Sequence, residues 1–342
     1  MKIFHIMASS KDGGAEIFFA DAVKAINSIG LQQFALVHPK YKKIGDLLAL
    51  NVPTKTASFN QWLRWPTNKI IDYIIREFNP DIIHYWMGRA ASFSVIKKTH
   101  INVGWHSGYR GVKRFKNCSF HFALTKELMI HLEKQGINKK KILVLPNYTP
   151  FMNGKPIDRE IFNTPKNKTL LLLLARLHPV KGIDTLIKAL PYVKDTYLWI
   201  AGSGPLENEL KRLTKELSLD RYVKFLGWRD DRDDLIASSD ICIFPSRNDS
   251  FGAVTIEAWS AKKPFIATRA PGPKAMIHDG VDGILVEVDD VKGLAKSINR
   301  LKSDTELQKK LKINGYKRYK KEFSEEVFKY NIYNFYNVIK NS

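Results

Sequence analysis

The stretch from Lys168 to Val193, KTLLLLLARLHPVKGIDTLIKALPYV, decides the fold. It opens on an uninterrupted apolar run, which suits a strand covered on both faces, and passes through a loop into a helix. The chain begins on the same plan. KIFHIMAS (Lys2–Ser9) reads as a strand, and SKDGGAEIFFADAVKAINSIG (Ser10–Gly30) as a glycine loop and an amphipathic helix closing at Gly30. Each is the opening βα unit of a doubly wound domain, so the chain reads as α/β with two Rossmann-like halves.

Working outward, FALVHP, DIIHYW, NVGWHS and FHFALT supply further strands to the first half. YLWIAGSG, YVKFLG, DICIFP, KPFIAT and GILVEV supply the second. A strand reaching Leu145, then a linker rich in Pro, Asn and Lys from about Pro146 to Lys168, separates them. The expected boundaries are 1–150 and 151–323, with a final helix at 324–342 packing back on the first domain. Its expected stripe is Phe323, Val327, Tyr330, Ile332, Tyr333, Tyr336 and Ile339.

The 342 residues suit two cores rather than one. The two cysteines, Cys118 and Cys242, lie in separate apolar stretches and make neither a disulfide framework nor a metal site, which points to a reducing cytoplasm. No segment has the apolar length to span a membrane, and the N-terminal run, broken by His5, is not expected to be a signal peptide. Lys+Arg number 55 against 34 Asp+Glu, a net charge of +21. A nucleoside diphosphate needs only two or three of those charges. The remainder either coats the surface or meets an anionic membrane, a phosphorylated acceptor or nucleic acid.

Two acids stand out against that charge. SRNDSFGAVTIEAWSAKKP (Ser246–Pro264) follows the strand DICIFP and places Asp249 in a loop and Glu257 in the helix after it. Phe251, Gly252, Ala253 and Val254 open that helix, whose free N–H groups suit phosphate oxygens. Glu257 would repel a phosphate, so it is expected to accept from ribose hydroxyls, and Asp249 from a sugar. Arg176 and Lys181 follow the Leu171–Leu174 strand and suit a pyrophosphate. Gly202 and Gly204 form a Gly-x-Gly turn without a third glycine, while Gly13 and Gly14 let backbone N–H groups approach an anion. Asp231-Arg232-Asp233 reads as a helix N-terminus rather than a metal motif, and no other cluster has metal spacing.

In this order GGAE, WHS, LPNYT, RLHPVKG, AGSGP, FLGWRDD and SRNDSFGAVTIEA resemble the GT-B glycosyltransferases of the large retaining family 4, over essentially the whole chain. The resemblance implies two Rossmann-like domains facing across a cleft and transfer from a nucleotide-sugar donor without a required cofactor. Arg176 and Lys181 would then stabilise the departing diphosphate. Asp249 and the 251–254 backbone would position the donor sugar, and Glu257 the ribose. His106, ending the strand INVGWH, matches the family histidine that faces the donor sugar, and Trp228 lies where relatives meet the base. The family's Glu-x7-Glu is here Asp249-x7-Glu257, and Lys274 stands near a usual glutamate; both departures bear on donor identity.

On the acceptor side the candidates are Glu16, Arg89 and Arg110. Trp62 and Trp65 beside Arg64 and Lys69 resemble an interfacial patch, although core tryptophans in a helix are equally ordinary. These residues give an expected enzyme at the inner face of a cell membrane. It would pass a sugar, from UDP by preference, to a surface glycan such as lipopolysaccharide core or a lipid-linked saccharide. A nicotinamide oxidoreductase lacks its glycine fingerprint here. A nucleotide-sugar epimerase shares the architecture and stays open. A nucleic-acid binder explains the charge but neither Asp249 nor Glu257, and a non-catalytic partner subunit is a further alternative.

Overall fold

The computed structural model describes residues 1–10 and 13–342. The chain divides into two compact units: Met1–Asn147 with Glu325–Ser342, and Tyr148–Ser324. No helix among the described residues is long and apolar enough to cross a membrane.

Unit 1 runs β1 (Lys2–Met7), α1 (Gly14–Ser28), β2 (Gln32–Val37), α2 (Ile44–Ala49), β3 (Thr54–Thr56), α3 (Trp65–Phe78), β4 (Ile82–Trp86) and α4 (Met87–Ala91). It continues with β5 (Ile101–His106), β6 (Phe120–Ala123), α5 (Lys126–Lys134) and β7 (Ile142–Val144). All seven strands pair in parallel in the order β3-β2-β1-β4-β5-β6-β7. α1 forms because Phe18, Phe19, Ala22, Val23 and Ile26 recur on one face and are buried together.

Unit 2 runs β8 (Thr169–Leu174), α6 (Ile183–Ala189), β9 (Thr196–Ala201), α7 (Glu207–Glu216), β10 (Val223–Gly227), α8 (Arg232–Ser238) and β11 (Ile241–Phe244). Then follow α9 (Ala253–Ser260), β12 (Phe265–Thr268), α10 (Pro271–Met276), β13 (Ile284–Val286), α11 (Val291–Ser303) and α12 (Thr305–Arg318). Its sheet order is β10-β9-β8-β11-β12-β13. Leu170 to Leu174 are all buried, as the unbroken apolar run of a central parallel strand requires. Asp231 precedes α8, with Asp233 and Asp234 in its first turn against the dipole.

The final helix, α13 (Glu325–Lys340), belongs to unit 1. Its buried stripe is Phe328, Ile332, Tyr336 and Ile339, which corrects the expected one: Tyr330 and Tyr333 are exposed. Spacings of four, four and three keep the buried four on one side, while a tyrosine's ring tolerates the opposite, wet side. Phe328 meets Phe18 edge-on at 5.6 Å, and the Tyr336 hydroxyl lies 2.8 Å from Nδ1 of His84.

Unit 1 buries an aromatic and histidine cluster. His84 stacks on Trp86 at 4.4 Å, and Trp86 on Trp105 at 4.7 Å. Trp86 Nε1–H donates to Nδ1 of His5, so His5 carries its proton on Nε2 and donates to Gln33 Oε1 at 3.0 Å. Burial lowers the His5 pKa to about 4, His121 to about 4 and His106 to about 3. All three stay neutral in the fold, whereas an unfolded histidine protonates near 6.5. Their stabilisation is therefore complete above about 6.5 and is lost as pH falls toward 4, by roughly 3 kcal/mol for His5 alone. Acid titration followed by near-UV circular dichroism is expected to melt unit 1 first, and His5→Gln to flatten that dependence.

Candidate active site

In unit 2 the strand order reverses between β8 and β11, and the loops leaving the C-terminal ends of those strands meet. They touch backbone to backbone. The N–H groups of Arg247 and Asn248 donate to the Val180 carbonyl at 2.8 and 3.3 Å, and Ser246 Oγ donates to the same oxygen at 2.9 Å. Gly182 has φ 60°, and a Cβ there would lie 2.1 Å from the Pro245 carbonyl oxygen. Only glycine allows both that conformation and that approach.

Arg247 clamps the two loops. Its Nε reaches Asp289 at 2.8 and 3.0 Å, one amino group donates to the Pro179 carbonyl at 2.6 Å, and the other reaches Asp184 at 2.8 Å. The hydrogen bond from Arg247 holds the Asp289 carboxyl below its usual range. Arg247 stands inside the SRNDSFG motif, yet its positioning part was not read from the sequence. A guanidinium between two acids in the fold is invisible while those acids lie over 40 residues away along the chain.

The clamp brings Lys181 to Asp249, with Nζ 2.7 Å from Oδ2 and 4.9 Å from the centre of the Phe244 ring. Both side chains of the ion pair are about one-fifth exposed, at 19% and 20%. Asp249 Oδ1 accepts from the N–H groups of Phe251 and Gly252 at 3.0 and 2.7 Å. Asp249 is thus engaged with Lys181 and with its own loop, where the N–H groups of Phe251 and Gly252 serve its carboxylate. The reason is local: an aspartate carboxylate readily accepts from the backbone N–H groups two and three residues further on. Ala253 is exposed and Val254 half-buried at the dipole-positive start of α9. Arg176 is exposed and makes no ion pair or side-chain hydrogen bond among the described residues.

Glu257 is buried, and its Oε2 accepts from Arg232 at 2.6 Å. The sequence offered that carboxylate to a ribose; the structure adds an arginine partner that had been read only as part of a helix start. Gly202 and Gly204 have a packing reason. A Cβ on Gly202 would lie 1.9 Å from the Ala175 oxygen, and one on Gly204 2.3 Å from the Leu177 oxygen, so these glycines seat the loop that carries Arg176. Moreover, Gly202 N–H donates to the Gly227 carbonyl at 2.7 Å. Trp228 is 60% exposed with its indole N–H on Asp230 at 3.0 Å. Lys274 is exposed on α10.

In unit 1 a Cβ on Gly13 would lie 2.9 Å from Glu16 Oε2, and Ser9 donates to the other carboxylate oxygen. An acid therefore stands at the start of α1, beside Gly13. Lys11 and Asp12, in the same glycine loop, lie outside the described residues. His106 is buried, stacked on Phe115 at 3.8 Å and 3.0 Å from Nδ1 of His121. Within unit 1 it is an interior residue at the C-terminal end of β5. Arg89 donates to the Phe59 carbonyl at 3.0 Å, and Arg110 is exposed. No group of three or more His, Cys, Asp or Glu among the described residues is placed to hold a metal ion.

Two parallel doubly wound units, one with paired cation and acid at its switch point, define the class: a protein of the GT-B fold. The chain belongs to the glycosyl transferases group 1 family, whose model matches residues 154–318. Over 337 residues it is 31% identical to the lipopolysaccharide core biosynthesis glycosyltransferase LpsD of Rhizobium meliloti (strain 1021), covering 95% of each chain. LpsE of the same organism, of like description, is 27% identical over 95% of this chain and 96% of its own. The crystal structure of Anabaena HepE in complex with UDP matches with a TM-score of 0.87 and 21% identity, over 99% of this chain and 100% of that one. At that identity the likeness speaks for the fold.

Proposed function

We propose that this glycosyltransferase moves a sugar, with retention of anomeric configuration, from a UDP-sugar to a lipopolysaccharide core or lipid-linked glycan at the inner face of the cell membrane. The observation that carries the proposal is the Lys181–Asp249 pair held beside the start of α9, with Arg176 exposed on the neighbouring loop. The kinship with LpsD supports the acceptor class, and the UDP bound by HepE supports the base.

In this reading Lys181 and Arg176 receive the diphosphate, and the amides at Ala253 and Val254 receive its remaining oxygens. The C1–O bond to the diphosphate breaks while the acceptor oxygen bonds C1 from the same face. The acceptor's proton passes to the leaving phosphate oxygen, so no enzyme nucleophile is required. Charge grows on the leaving group as that bond opens, and fixed cations favour this state over the bound donor. They also supply the positive charge a resident metal would otherwise bring. Glu257, oriented by Arg232, accepts from the ribose, and Trp228 lies against the base. Arg89 and Arg110 of unit 1 are assigned to the acceptor.

A thermal-shift panel of UDP-, GDP- and ADP-sugars tests the proposal, because a ligand of the folded state raises the melting temperature. A UDP-sugar is expected to give the largest rise. Stabilisation by a GDP- or ADP-sugar alone would overturn the choice of base, and silence across the panel would overturn the donor site.

A further inference from the structure

One corner of unit 1 exposes large apolar side chains that nothing in the donor chemistry uses. Trp62 is 100% exposed, Ile96 77%, Trp65 63% and Leu63 60%. They are held in place rather than loosely strung. Asn60 Oδ1 accepts from Trp62 N–H at 2.9 Å and fixes the turn before α3. Arg64 donates to the Ser92 carbonyl and lies 4.8 Å from the Phe93 ring centre, fastening that turn to the segment bearing Ile96. Lys97 bonds Asp72 of α3 at 2.7 Å and fastens the other side. α3 turns Ile71, Ile74 and Ile75 to the core, which leaves Trp65 outside.

The surrounding charge identifies the partner. Residues 60–72 and 92–100 contain Arg64, Lys69, Lys97 and Lys98, and one acid, Asp72, already paired with Lys97. Lys69 sits 4.0 Å from the centre of the Trp65 ring. Indoles seek the boundary between headgroups and acyl chains, where the ring is half in hydrocarbon and its N–H stays wet. Cations beside them meet anionic headgroups. A protein partner would reward a packed apolar centre with few charges, whereas here Lys69 lies over Trp65 and cations outnumber acids in both segments.

We infer that Trp62, Leu63, Trp65 and Ile96, ringed by Arg64, Lys69, Lys97 and Lys98, form the surface by which the protein docks on an anionic lipid bilayer. The inference deepens the proposed function, because a lipid-linked acceptor is met at such a surface.

Vesicle sedimentation tests it, using phosphatidylcholine alone and an equimolar phosphatidylcholine–phosphatidylglycerol mixture. The wild-type chain is expected to bind the mixture more strongly than the neutral vesicles, and added salt to weaken that binding. Trp62→Ser with Trp65→Ser is expected to lower binding about tenfold or more while UDP-sugar stabilisation is unchanged. Lys69→Glu with Lys98→Glu is expected to abolish the preference for the anionic mixture. Equal binding to both vesicles, or wild-type binding by the tryptophan variant, would overturn the inference. So would a dimer in sedimentation equilibrium that the tryptophan variant loses, since the patch would then cover a second copy. The donor panel is read on the same preparations, so a failed membrane surface and a failed donor site are told apart.

Discussion

Lys181→Ala is expected to lower the rate of sugar transfer by about 10²–10³-fold while leaving the melting temperature within a few degrees of wild type. The loss has two parts. The ammonium that would neutralise the leaving diphosphate is gone, and the Asp249 carboxylate it held at 2.7 Å now faces a phosphate with the same sign of charge. Arg176→Ala removes a cation without exposing an acid, so its loss is expected to be smaller. The second part can be isolated. Adding Asp249→Asn to Lys181→Ala keeps an oxygen for the N–H groups of Phe251 and Gly252 but removes the negative charge. The double variant is expected to bind donor better than Lys181→Ala alone, read as a lower KM for the donor in steady-state kinetics. Equal KM values would mean that Asp249 does not face the phosphate.

Gly202→Ala is expected to cost at least about 3 kcal/mol, among the larger effects of a single substitution. Its φ of 144° belongs to a region that side chains rarely adopt, and the new Cβ would lie 1.9 Å from the Ala175 carbonyl oxygen. Relief requires the β8–α6 or β9–α7 loop to move, which would also displace Arg176. Urea unfolding is expected to shift the transition of unit 2 and to leave that of unit 1 in place. Gly14→Ala is the control. Nothing lies within 4 Å of its would-be Cβ at the first residue of α1, so the change is expected to be neutral or slightly stabilising.

Much of the fold was legible because parallel strands buried on both faces leave long apolar runs, as in Leu170–Leu174. β3, Thr54–Thr56, was not legible: three residues, two of them exposed, carry no period. The final helix was readable as a helix but not in its facing, since Tyr330 and Tyr333 satisfy an apolar count while lying in water. At the site, residue types pointed to the loops after β8 and β11, which the structure brings into contact. Partnerships were out of reach. That Lys181 binds Asp249, Arg232 binds Glu257, and Arg247 joins Asp184 to Asp289 depends on segments 25 to 68 residues apart meeting in space. His106 shows the converse, because a matching motif names a residue without telling that Phe115 lies over it.

The central claim is that the loops of unit 2 after β8 and β11 grip a nucleoside diphosphate. Amide hydrogen exchange with and without a saturating UDP-sugar tests it most directly, since bound ligand slows exchange where it lies. Slowed exchange concentrated in residues 176–182 and 249–257 is the predicted result. Protection confined to other segments, with these loops exchanging at their unliganded rate, would contradict it.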